Sequence, residues 1–205
     1  MKHVTLLILA ATLTLASCTT NVVVEGTVPT PLVRKVPVNV GVFYGENFKN
    51  FQHTEDLDTE GTFKINLGDQ NLTFFQNLMT SMFDQVQILN DPEPMSAKEA
   101  GLDAIVIPKI EKYGFLTPGL SGLKFFSASI HYRITMMDTE GNQLADWTVV
   151  GYGKGEGGVF SSDDALGEAT MLAIRDGGAR ISIGLPQQPK VAEWVATQGN
   201  SVNEN

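Results

Sequence analysis

Cysteine is almost missing: one residue in 205, at position 18. An internal disulfide framework is therefore excluded. Histidine is scarce as well, three in all, and no HxH, HExxH or CxxC spacing occurs, so the usual ligand set of a zinc site is not expected. Lys and Arg total 14 against 23 Asp and Glu, a formal net charge of −9. Nucleic acid is not expected as a partner, because phosphate recognition draws on basic patches. No apolar run reaches the roughly 20 residues that a membrane-spanning helix needs. What is present is a hydrophobic fraction of 42%, too apolar for a disordered chain and suited in length to one domain.

The N-terminus reads as a signal peptide over 1–17: Lys2 supplies positive charge, and Val4 to Ala16 form an apolar stretch too short to span a bilayer. Leu15-Ala16-Ser17-Cys18 then resembles the lipobox of bacterial lipoproteins. That resemblance implies that the Cys18 thiol receives a diacylglyceryl group, that the leader is cut before it, and that the new amine is acylated. The competing reading is an ordinary secretory signal followed by an unmodified thiol, a liability in an oxidising compartment. Thr19 stands where enteric-type lipoproteins kept in the inner membrane carry Asp. The resemblance thus implies an outer-membrane lipoprotein, lipid-anchored and facing the periplasm.

Residues 18–36, with Pro29 and Pro31 among polar and β-branched residues, read as a lipidated extended tether. Residues 37–185 read as a single α/β domain and 186–205 as a polar tail, with one amphipathic turn at Val191, Trp194 and Val195 and disorder beyond Gly199. Alternation at Val38, Val40, Val42 and Tyr44 predicts a strand. Glu46 to Gly61 is acidic and reads as a loop, followed by a short strand over 63–67. Asp69 is expected to cap a helix that ends near Asp84 and whose face carries Leu72, Phe75, Leu78, Met79, Met82, Phe83 and Val86 at helical spacing. Val86 to Leu89 is expected as a strand, Ser96 and Glu99 as a capping box, and Ala104 to Ile107 as a buried strand. Phe125 to Met137 and Gln143 to Lys154 form a hairpin around 138–142. Ser161, Ser162, Asp163 and Asp164 open a second main helix lined by Ala165, Ala169, Leu172 and Ala173, which either stops at Gly177-Gly178 or continues at a cost of about 1 kcal/mol per Gly. The fold class expected is α/β, an α+β sandwich: one mixed sheet of about five strands with two main helices on one face.

This order, together with Gly101-Leu102-Asp103-Ala104 leading into an apolar strand and the hairpin leading into an Asp-capped helix, resembles a group of bacterial envelope proteins. They are the periplasmic domain of the curli-secretion lipoprotein, the N-terminal domain of the Tol-system propeller protein, and the lipoprotein activators of peptidoglycan synthases. The resemblance covers roughly 37–185. It implies a non-catalytic binding or assembly module in an envelope complex, with the membrane and an envelope protein as partners and self-association as a homo-oligomer left open.

No residue pattern points to catalysis, and no cofactor or metal is expected. His131 reads as a solvated strand-face residue and His53 as unassigned. Asp56, Asp58, Glu60 and Gly61 match the first half of a Ca²⁺ loop, but Leu67 stands where the bidentate Glu belongs, so an acidic loop is preferred. Ser121 lies in Gly119-Leu120-Ser121-Gly122-Leu123, which fails the nucleophile-elbow spacing. Two features are candidates for partner binding. The first is the apolar, Gly-punctuated loop with Phe115, Leu116, Leu120, Leu123 and Phe125, which is either covered by the tail or an exposed contact patch. The second is Gly151, Gly153 and Gly155, whose period of two leaves one strand face bare, read as tight packing or a flexible strand end, or as a partner's docking groove or pairing edge. A carrier of a small or lipidic ligand, with a pocket under the Gly-rich loops, is the alternative function; an envelope hydrolase is the third.

Overall fold

The structure is a computed structural model that describes residues 19–27, 32–156 and 162–201. The signal peptide, Cys18, Pro29, Pro31 and Ser161 lie outside the described residues. Among the described residues, eight strands form two sheets. Strand β1 (Thr19–Val23) pairs in parallel with β4 (Gly61–Asn66), which pairs antiparallel with β3 (Gln52–Leu57). The larger sheet has the order β5-β2-β6-β7-β8, with β2 at Val36–Val42, β5 at Phe83–Ile88, β6 at Ala104–Leu116, β7 at Phe125–Asp138 and β8 at Gln143–Glu156. Its first three strands run parallel and the rest antiparallel. The expected α+β architecture with a mixed five-stranded sheet is what forms; the three-stranded sheet is additional.

That second sheet corrects two expectations. Residues 19–27 are extended, but they are no free tether. Val22 and Val24 are buried, and the Arg175 guanidinium donates to the Thr27 carbonyl and hydroxyl. Parallel pairing with β4 gives the backbone its hydrogen bonds, and the two valines give it an apolar face. Likewise 46–61 is not all loop. It holds the single turn α1 (Glu46–Lys49) and strand β3, whose side chains are exposed or half-buried except for Leu57. An edge strand with water on its free side can be this polar.

Helix α2 (Gly68–Met82) and helix α5 (Ser162–Gly184) cover one face of the five-stranded sheet. Asp69 is not the N-cap of α2. Leu67 takes that place without a side-chain cap bond, because Leu67 is wholly buried and Leu67 and Gly68 both donate to the Phe51 carbonyl. Short α3 (Pro94–Glu99) lies on the opposite face, where Leu89, Ala97, Leu102, Ile105 and Ile107 make a second small core. Right-handed crossovers that run in opposite directions along a sheet put their helices on opposite faces; β2-to-β5 and β5-to-β6 are such a pair. Ser96 does not form the expected capping box. Its hydroxyl donates to Asp91 instead, and Glu93 is the N-cap. In the Gly101–Ala104 segment, Asp103 accepts from the Asn39 N–H at 2.7 Å while its own N–H donates to the Asn39 carbonyl, which fixes β6 beside β2.

Strand β6 continues past Ile107 to Leu116. Pro108 is tolerated inside it because β2 pairs only as far as Val42 and Val106, so no N–H is needed on that side at residue 108. Helix α5 passes straight through Gly177 and Gly178. A Cβ at Gly177 would sit 2.8 Å from the Tyr132 ring, and one at Gly178 would sit 2.2 Å from Phe74. The glycines are contact points rather than a stop. The tail is not merely polar either: α6 (Pro189–Ser201) buries Val191 and packs Trp194 and Val195 on the main core.

At the centre, the fully buried Tyr132 hydroxyl donates to Oδ1 of Asn71, whose Nδ2 donates to the Leu67 carbonyl at 2.8 Å. Burial raises the Tyr132 phenol well above its ordinary value. Asn71→Ala leaves that hydroxyl without a partner in a dry site and opens a cavity. A loss of about 2–3 kcal/mol in urea unfolding is expected, with a much smaller loss when Tyr132→Phe is added, since the orphaned group is then gone.

Candidate functional site

The glycine stripe is occupied from within the chain. An added Cβ would meet the Ala173 carbonyl oxygen at 2.1 Å from Gly151, that of Ala169 at 1.9 Å from Gly153, and that of Ala165 at 2.0 Å from Gly155. A strand advances about 6.8 Å in two residues and a helix about 6.0 Å in four. Glycine at every second position of β8 and alanine at every fourth position of α5 therefore stay in step, and the two backbones lie flush. Gly151, Gly153 and Gly155 are accordingly corrected from a partner groove to a helix seat.

The apolar loop divides. Phe115 is buried, with its ring 5.3 Å from Phe63, 6.3 Å from Tyr113 and 6.0 Å from His53. Tyr113 meets Thr170 of α5 at 2.7 Å, and burial chiefly pushes its phenol up. Phe125 is half-buried, with Lys154 Nζ 4.2 Å from the centre of its ring. Leu116, Leu120 and Leu123 are 48%, 50% and 49% exposed, so the described part of the tail does not cover them. They surround the single helical turn α4 (Pro118–Ser121), capped by Thr117, whose hydroxyl accepts from the Leu120 N–H. Ser121 donates to the Thr117 carbonyl, a turn-forming role.

The other chemistry-bearing residues are spread out. His53 Nε2 lies 3.0 Å from Glu55. Asp56 accepts from Thr62 across β3 and β4, so the Ca²⁺-loop resemblance falls on a hairpin, with Gly61 at φ 84° forming its turn. Among the described residues no cluster of three or more His, Cys, Asp or Glu is placed to hold a metal, and no helix is long and apolar enough to cross a membrane.

What sequence reasoning missed is the face of β6, β7 and β8 turned away from α2 and α5. Across it run Lys112–His131–Val150, Gly114–Ser129–Tyr152 and Leu116–Ser127–Lys154. Small residues in the middle and long ones at the sides leave a groove of about 540 Å³. Its lining has two lysines and a histidine and no carboxylate, in a chain of net charge −9. Tyr152 stands 62% exposed beside it. One row away, Arg133 bonds Asp146 at 2.6 and 2.7 Å and Glu111 at 3.1 Å. The Arg133 guanidinium holds both carboxyls below the ordinary carboxylate value. The groove thus offers a neutral-to-basic strip beside a row whose two carboxylates are both paired with Arg133. The cross-strand rows could be read only once the β6–β7 register, with its bulge between Ile110 and Lys112, was known.

No protein-family model matches the chain, and no curated protein matches it in sequence. Among solved structures, a Xanthomonas campestris protein of the DUF330 family is similar at 11% identity and a TM-score of 0.49, over 83% of this chain and 99% of that one. The hypothetical protein CT253 from Chlamydia trachomatis is similar at 12% identity and 0.47, over 74% and 97%. PelC from Paraburkholderia phytofirmans, solved as a dodecamer, is similar at 16% identity and 0.37, over 73% and 94%. Likenesses of this size carry no functional statement.

Proposed function

We propose that this protein is a lipid-anchored lipoprotein of the bacterial cell envelope, held in the outer membrane by acylated Cys18, facing the periplasm, and acting as a non-catalytic binding or assembly module. The observation that carries the reading is the junction at Thr19. The lipobox-like cysteine is followed at once by β1, a strand built into the domain. A cut before Cys18 leaves every described strand and helix intact and places the acyl group at the start of β1. An envelope protein is the partner, and the basic groove on β6, β7 and β8 is where its acidic or polar segment binds.

A photo-crosslinking residue at Tyr152 tests the binding role in cells. The expected result is one reproducible adduct with an envelope protein, lost when Lys112 and Lys154 are both changed to Glu. A crosslinker at exposed Met95, on the other side of the sheet's far end, should give none. Absence of an adduct at Tyr152, or equal adducts at both positions, contradicts the reading.

A further inference from the structure

The start of β1, the tip of the β3–β4 hairpin and the α4 turn meet at one end of the molecule. Thr19 pairs with Thr62, two residues after Glu60 in the hairpin turn. Glu60 accepts from the Thr117 hydroxyl at 2.7 Å, and its carboxylate lies against Gly119, where a Cβ would fall 2.3 Å from Oε1. Around this junction Leu116, Leu120 and Leu123 remain about half exposed. They are held there: Thr117 caps the turn, Gly122 ends it at φ 68°, and Ser121 accepts from the Leu123 N–H.

Cys18 is bonded to Thr19, and Thr19 is already paired. No slack lies between the attachment point and the body, so an anchor there brings this end, and not an arbitrary face, to the lipid. We infer that Leu120 and Leu123 enter the headgroup–acyl boundary of the membrane that holds acylated Cys18. The inference rests on the acylation reading above. Its occupant is a bilayer surface, because this end is the one confined to the membrane. The contact is apolar and not polybasic: Asp56, Asp58 and Glu156 are exposed at the same end as Lys124 and Lys154, and Lys154 lies 3.5 Å from Glu156, so there is no excess of positive charge to seek anionic lipid.

The test uses full-length acylated protein in vesicles of phosphatidylethanolamine with a minor fraction of phosphatidylglycerol. Acylation consumes the Cys18 thiol, so Leu120→Cys, Leu123→Cys and Met95→Cys each carry a single reactive thiol for an environment-sensitive fluorophore. Met95 is the control. It is 58% exposed on α3, next to the β7–β8 hairpin and therefore about 45 Å along β7 from the leucine end. With doxyl-labelled lipid in the vesicles, quenching is expected at 120 and 123 and not at 95, and raised salt should leave it unchanged. Equal quenching at all three sites, or none on acylated, vesicle-bound protein, overturns the membrane-facing assignment and leaves the acylation reading standing. Crosslinking between copies through 120 or 123, in place of lipid quenching, overturns it as well. Protein that fails to bind and shows an unmodified Cys18 by mass removes the acylation reading and the inference with it.

Discussion

Gly153→Ala is expected to destabilise the domain by about 3 kcal/mol or more, the upper part of the range for overpacking a closed contact. The added methyl would fall 1.9 Å from the Ala169 carbonyl oxygen and 2.5 Å from the Ala173 nitrogen. Both are backbone atoms of a long helix and cannot swing aside as a side-chain tip can. The helix must lift from β8, and that separates Ala165, Ala169 and Ala173 from the sheet together. Gly114→Ala is the matched control. It lies on neighbouring β6, where its nearest contact is the Ser129 hydroxyl at 3.8 Å, and it should change stability by about 0.5 kcal/mol or less. Urea midpoints for the two variants decide the matter. Equal midpoints would mean that α5 does not sit on the glycine stripe.

That stripe shows how far the sequence could be read. Glycine at 151, 153 and 155 and alanine at 165, 169 and 173 were both visible, and the tight-packing reading of the stripe is the correct one. Joining the two required knowing that α5 folds back over β8. The core strands were legible because Val38, Val40 and Val42, and the even residues from Phe126 to Met136, alternate cleanly against polar neighbours. Strand β3 was not. Gln52 to Asp56 carry no alternation, since an edge strand that buries only Leu57 needs none. Strand β1 was read as extended, correctly, and as unpaired, wrongly, because one buried valine among its five residues, with no neighbouring strand in sequence, gives no sign of a parallel partner some forty residues away. Of the candidate binding residues, Leu116, Leu120 and Leu123 are at the surface, while Phe115 is drawn into the aromatic cluster with His53, Phe63 and Tyr113. The basic groove was invisible because its residues come from three strands whose register includes a bulge.

Cys18→Ser is expected to move the protein from the membrane to the soluble fraction. The anchor's hold comes from buried methylenes, each contributing about 0.8 kcal/mol, so several acyl chains hold firmly and none hold not at all. The protein surface cannot replace them. The chain's net charge of −9 opposes an anionic bilayer, and the three exposed leucines alone give an area too small for stable binding. Since Cys18 lies before β1, the variant should unfold at the same urea concentration as the wild type. A variant that is soluble and equally stable separates loss of the anchor from loss of the fold.

The mass of the N-terminal peptide from protein extracted from its native membrane tests the central claim most directly. The account predicts a chain that begins at Cys18, with a thioether-linked diacylglyceryl group and an acylated amine. An unmodified Cys18, a chain beginning elsewhere, or a Cys18→Ser protein that stays in the membrane fraction would contradict it.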